Sequence, residues 1–137
     1  MFFKKKENKI EKNFLIKVCA LLIHAAKVDE NFTDHEEEII KKTLLELGSD
    51  QENLSKTIKE AKIMEENSNQ ILDFTREVKN LPEDSKIKII EALWSIIYSN
   101  KDADIYEANL MRRLAGLLYI DNKTMGDIKN KIKKENS

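Results

Sequence analysis

The sequence predicts an all-α, single-domain bundle of about seven helices, and three observations carry that expectation. Gly occurs three times and Pro once in 137 residues, too seldom for the many turns a sheet-rich fold needs. Apolar residues recur at three- and four-residue spacing in successive segments, the period of a helix with one buried face. Cap signatures, not hairpin turns, separate those segments.

The elements follow in order. Residues 1–9 (MFFKKKENK) form a flexible basic start, residues 10–134 the helical domain, and residues 135–137 a short tail. A first helix is expected from about Ile10 to Val28, with Phe14, Val18, Leu21, Leu22 and Ala25 on one face. Thr33-Asp34-His35-Glu36 has the capping-box form, in which Thr accepts from the third N–H and Glu reaches back. The helix it opens runs to about Leu47, buries Ile39, Ile40, Leu44 and Leu47, and closes at Gly48. Ser49 and Glu52 offer a second capping box for a third helix, with Leu54, Ile58 and Ala61 inward. Ser68 is placed to cap a fourth, carrying Ile71, Leu72, Phe74 and Val78.

Leu81-Pro82 marks a stop, because Pro disfavours helix in the residue before it. A long helix is expected from Glu83 to Ser99, striped by Ile87, Ile90, Leu93, Trp94 and Ile97. Asp104 and Asp121 then start the last two helices, since Asp caps well. Leu110, Met111, Leu114, Leu117 and Leu118 face inward on one, and Met125, Ile128 and Ile132 on the other.

Composition narrows the function. Lys+Arg (24) and Asp+Glu (25) nearly cancel, for a formal net charge of -1. A dedicated nucleic-acid binder shows a basic excess, so no nucleic-acid partner is expected. No GxxxxGK[ST] or GxGxxG is present. Cys19 lies among Val18, Ala20 and Leu21 and reads as a buried core thiol. With no nucleophile–base set or cofactor motif in view, no enzyme is expected. Residues 14–26 are apolar but carry Lys17 and His24, and the stretch falls short of the ~20 residues a spanning helix needs. The chain is therefore expected to be cytoplasmic and not itself transmembrane.

The two halves match at an offset of 71 residues, without a gap. Ile16 falls on Ile87, Lys17 on Lys88, Leu22 on Leu93 and Glu36 on Glu107. Ile39-Ile40-Lys41-Lys42 falls on Leu110-Met111-Arg112-Arg113, and Asp50 on Asp121. Apolar coincidences are cheap between amphipathic helices, whereas the Glu and the basic pairs are not. The reading is a duplicated helix–acidic loop–helix.

The aligned loops run from Asp29 to Glu36 and from Asn100 to Glu107. Asp29, Asn31, Thr33 and Glu36 in the first, and Asn100, Asp102, Asp104 and Glu107 in the second, put side-chain oxygens at the first, third, fifth and eighth positions. Alternating oxygens on a short turn suit a hard cation such as Ca²⁺, which takes about six to eight oxygen ligands. Neither loop is an EF-hand: Asp34 and Ile105 replace its Gly, and Ile40 and Met111 its final Glu. Helix capping by Thr33/Glu36 and Asp104/Glu107 explains the same residues without a metal.

The layout resembles the TerB-like family, named for a tellurite-resistance protein and related to the N-terminal domain of a membrane-bound J-domain co-chaperone. That family carries two motifs of the form Ala-Asp-Gly-x-(Ile/Leu)-(Asp/Ser)-x-x-Glu, the second followed by Leu-Ile-Arg-Arg. Over about residues 14–120, the counterparts here are Val28 to Glu36 and Ser99 to Glu107, the latter followed by Leu110-Met111-Arg112-Arg113. Ala92-Leu93-Trp94 is also similar to the family's second-repeat helix. The motif Gly is Glu30 in the first loop and Lys101 in the second, and the second leading Asp is Asn100. The resemblance implies an all-α fold of about seven helices. It also implies metal binding by the acidic residues, and a tellurite-type stress response with protein partners, at the inner membrane periphery in some members. Asn100 and Lys101 weaken the second loop for a cation by Coulomb's law, so the first is expected to dominate. The competing expectation is a protein-interaction scaffold whose loops only cap helices.

Five further features are read conservatively. His24 fits a boundary position on the first helix, and His35 a solvated loop position, with a transition-metal ligand as the sharper alternative. Trp94 and Tyr98, one turn apart, are expected in the core. Arg112 and Arg113 read as a solvated edge, and the Lys-rich termini as solvated too, with weak contact to an anionic membrane as the alternative.

Overall fold

A computed structural model describes residues 12–27, 33–68, 72–99 and 105–135, and the account below is confined to these. Seven α-helices are present among them: α1 (Lys12–Ala26), α2 (Asp34–Glu46), α3 (Leu54–Glu66), α4 (Leu72–Val78), α5 (Glu83–Ser99), α6 (Ile105–Leu117) and α7 (Asn122–Glu135). A single 3₁₀ turn, Gln51–Asn53, precedes α3, and the described residues contain no strand. The fold is all-α, as expected. The basic start at 1–9 lies outside the described residues.

α1 is the axis of the structure. It packs against α2, α3, α4 and α5. Leu15, Ile16, Val18, Cys19, Ala20, Leu21, Leu22, Ile23, Ala25 and Ala26 are all buried. The one-faced helix expected from the sequence is thus covered on all but the narrow edge that carries Lys17 and His24, which its composition permits because only these two are polar between Phe14 and Ala26. α5 is the second buried element, contacting α1, α2 and α7 through Ile89, Ile90, Leu93, Trp94, Ile96 and Ile97. Trp94 belongs to the core, as expected. Its indole Nε1 donates to Met125 Sδ at 3.3 Å, and its ring stacks on Tyr98 at 5.8 Å. Arg112 and Arg113 are exposed.

The ends of the helices have identifiable causes. The Thr33/Glu36 capping box opens α2. At its far end Gly48 takes φ 109°, and Gly48 N and Ser49 N donate to Leu45 O and Leu44 O. This is the Schellman closure, in which the residue after the cap must adopt a left-handed backbone. α6 closes with the same bonds, from Tyr119 N to Gly116 O and Ile120 N to Ala115 O. Here Tyr119 holds φ 58°, a conformation that costs a residue with Cβ about 1 kcal/mol. Pro82 O accepts from Ser85 and Lys86 at the start of α5. Asp121 caps α7 as expected: Thr124 N donates to its Oδ1 at 2.6 Å, and that hydrogen bond holds the carboxyl below its usual range.

One expected cap does not form. The Ser49 hydroxyl bonds to Asp50 O, and Asp50 heads the 3₁₀ turn without a side-chain cap bond. Ser49 is already committed as the last residue of the Schellman closure, so it cannot also begin the next helix. The cap assigned to Ser68 would act on residues 69–71, which lie outside the described set.

α2 and α6 end 71 residues apart, at Glu46 and Leu117, and their closures fall at Gly48 and Tyr119. α1 on α3 has its counterpart in α5 on α7.

Leu22 is fully buried at the centre of α1. Leu22→Ala is expected to cost about 3 kcal/mol, from lost burial plus an unfilled cavity. A urea titration followed by helical circular dichroism measures it.

Candidate cation site at the acidic corner

The first corner is where α1 turns into α2. Of its expected oxygen donors, Thr33 and Glu36 are described, whereas Asp29 and Asn31 lie outside the described residues. In the second corner Asn100, Asp102 and Asp104 also lie outside them, as does the side chain of Glu107.

Thr33 has an extended backbone (φ -87°, ψ 162°), which points its side chain along the first turn of α2. Its Oγ1 accepts from Glu36 N at 3.1 Å, while Thr33 N and Oγ1 donate to Glu36 Oε1 at 2.8 and 3.2 Å. Glu36 has 0% exposure. A carboxylate is costly to bury without partners. Thr33 supplies two donors, and the first turn of α2 adds the positive end of a helix dipole. Asp34, Glu37 and Glu38 extend the acidic surface outward. Glu37 pairs with Lys41 at 3.5 Å and Lys62 at 3.6 Å. His35 is exposed, as expected of a solvated histidine. No set of three His, Cys, Asp or Glu groups placed to hold a metal occurs among the described residues.

A second cluster fixes the other side of the corner, and sequence reasoning missed it. His24 Nδ1 lies 3.2 Å from Glu65 Oε2, and Lys27 Nζ lies 2.8 Å from Glu65 Oε1. The exit of α1 is thereby tied to α3. Burial alone would raise the Glu65 carboxyl, but hydrogen bonds from Lys27 and His24 outweigh it and hold the group below its ordinary value. The same bond holds the Lys27 ammonium above its usual value. His24 and Lys27 stand one turn apart, which hints at a shared partner. Nothing local in the sequence identifies one 38 residues away.

Cys19 takes no part in the corner's chemistry. Its side chain is fully buried, and burial pushes the thiol up to about 12. A thiol this far from ionising is neither a nucleophile nor a ready metal ligand.

This all-α bundle defines a class, and a comparison with protein families identifies it. Residues 15–130 match the model for TerB, the tellurite resistance protein. The chain belongs to the TerB family, as the motifs around Asp29, Glu36, Glu107 and Arg112-Arg113 imply. No curated protein and no solved structure matched. No helix among the described residues is long and apolar enough to cross a membrane.

Two outcomes follow. Thr33→Ala removes the cap acceptor and one donor to a buried carboxylate, and is expected to cost between about 1 and 2 kcal/mol by chemical denaturation. The Glu65 clip contributes stability above the carboxyl's unfolded value of about 4.3 and loses it as pH falls through the lower folded value. Glu65→Gln is therefore expected to reduce stability at neutral pH and to flatten the acid decline below about pH 5, as read from melting temperature against pH.

Proposed function

We propose that this protein is a non-enzymatic stress-response domain that holds a divalent cation, Ca²⁺ foremost, at the corner from Asp29 to Glu36. The complete burial of Glu36 is the observation that carries the reading. A glutamate that only caps a helix can stay in water, where its charge costs nothing. One sealed behind Thr33 is held at a fixed place and depth, which is how a cation ligand is preorganised. Membership of the TerB family supports the same assignment. Asp29, Asn31 and Thr33 would complete the oxygen set. The second corner, with Asn100, Lys101, Asp102, Asp104 and Glu107, binds more weakly because it has lost one anion and gained a cation. The domain presents the ion and its helical surface to protein partners in the cytoplasm or at the inner face of a membrane.

A specific observation favours a second reading. The capping box is closed as it stands, every Thr33 bond to Glu36 being satisfied without a metal. On that reading the corners only shape the chain, and the domain is an interaction scaffold.

Titration with Ca²⁺ and with Mg²⁺, followed by backbone amide shifts, separates the two. The cation reading expects saturable shifts over residues 29–36 at or below millimolar ion, and smaller ones over 100–107. Glu36→Gln keeps the cap, since Gln serves the capping box as well as Glu, and is expected to abolish the first set. No response in the parent leaves the scaffold reading.

A further inference from the structure

We propose that Tyr119, together with the ammonium groups of Lys79 and Lys86, is a docking point for a carboxylate-bearing segment of a protein partner. This surface uses no residue of the acidic corner, so it stands or falls independently of the cation reading.

The first observation is backbone strain in the wrong residue. Tyr119 holds φ 58° where the equivalent position of the first half is Gly48, which takes φ 109° freely. The two closures are otherwise the same, bond for bond. Gly would serve α6 as it serves α2, so the fold does not ask for a side chain here. Strain kept where a relaxed residue would do points to a use for the side chain.

The second observation is what that side chain does. Tyr119 is 68% exposed and is the most exposed of the large hydrophobic residues described. Its ring stands in solvent with Lys79 Nζ 5.6 Å and Lys86 Nζ 5.9 Å from its centre. An exposed tyrosine with cations at its ring is the kind of residue that dominates protein interfaces.

The third is charge. Lys86 is buried and spends one donor on Leu118 O at 3.1 Å. Among the described residues, neither Lys79 nor Lys86 lies in an ion pair with a carboxylate, in contrast to Lys27, Lys41, Lys62 and Lys131. Two ammonium groups at one ring, with donors to spare and no counter-ion among the described residues, leave a positive point that an anion completes.

The neighbourhood favours a narrow acidic chain over an anionic membrane. Exposed Glu83 and Asp84 lie within one turn of Lys86, and exposed Asp121 two residues beyond Tyr119. A flat anionic surface would meet those carboxylates together with the lysines. An extended segment places its own carboxylates on the lysines alone, with the ring beside its backbone.

The test uses the full chain, a fluorescein-labelled octaglutamate peptide read by anisotropy, and vesicles of phosphatidylcholine with phosphatidylserine. The expected result is saturable peptide binding that weakens with salt and falls about tenfold or more in Tyr119→Gly and in Lys79→Glu. Tyr119→Gly is also expected to melt at or above the parent temperature, because it relieves the strain. Absence of peptide binding overturns the proposal, as does equal binding by the parent and both variants. Binding to vesicles that octaglutamate fails to displace overturns it in favour of a lipid surface. A lower melting temperature for Tyr119→Gly also overturns it, by showing that the ring serves the fold.

Discussion

Burial of α1 on all but the edge of Lys17 and His24 is the constraint from which the rest of the structure follows. A helix with only Lys17 and His24 polar between Phe14 and Ala26 cannot lie on a surface. It must be enclosed, and enclosure takes four neighbours: α2, α3, α4 and α5. Those come from both halves of the chain, so neither half can bury its own first helix alone. α5 repeats the requirement less completely, with Glu91 and Ser95 opening one side, and is closed by α1, α2 and α7. The same enclosure keeps Cys19 protonated and unreactive.

Such a core leaves the chemistry to its corners, where the chain leaves an apolar helix and must start the next. The first corner is anchored on both sides by charge that has been given partners. Glu65 pairs with His24 and Lys27 at the exit of α1, and Glu36 accepts from Thr33 N at the entry to α2. The buried Glu36 and the exposed Asp34 and Glu38 also divide the acidic residues by role. The first is set by packing, and the others remain in water, where they shape the field outside.

α2 and α6 end and close alike under the 71-residue offset, yet the two halves differ in sequence at two notable places. Gly48 is replaced by Tyr119, and the corner that begins with Asp29 and Glu30 is replaced by one that begins with Asn100 and Lys101. Helix interiors are held to their pattern by a core that punishes change, whereas turns answer mainly to local backbone geometry and to whatever they touch.

Much of this was legible in residue order. Helix spacing, the Thr33/Glu36 box, the Gly48 closure, the Pro82 stop and the Asp121 cap are all local, because a helix and its ends are decided within about four residues. The same locality explains the error at Ser49: two local motifs claimed one residue, and the earlier closure took it. The motifs that mark the TerB family were likewise readable as written. Only tertiary structure decided that α1 is buried on all but one edge, that Glu36 is sealed, that Glu65 clips His24 and Lys27, and that Lys79 and Lys86 meet at Tyr119. Each of these rests on which surfaces of distant helices come into contact. Periodicity specifies that a face is apolar, but the partner that covers it is selected by packing across the whole chain.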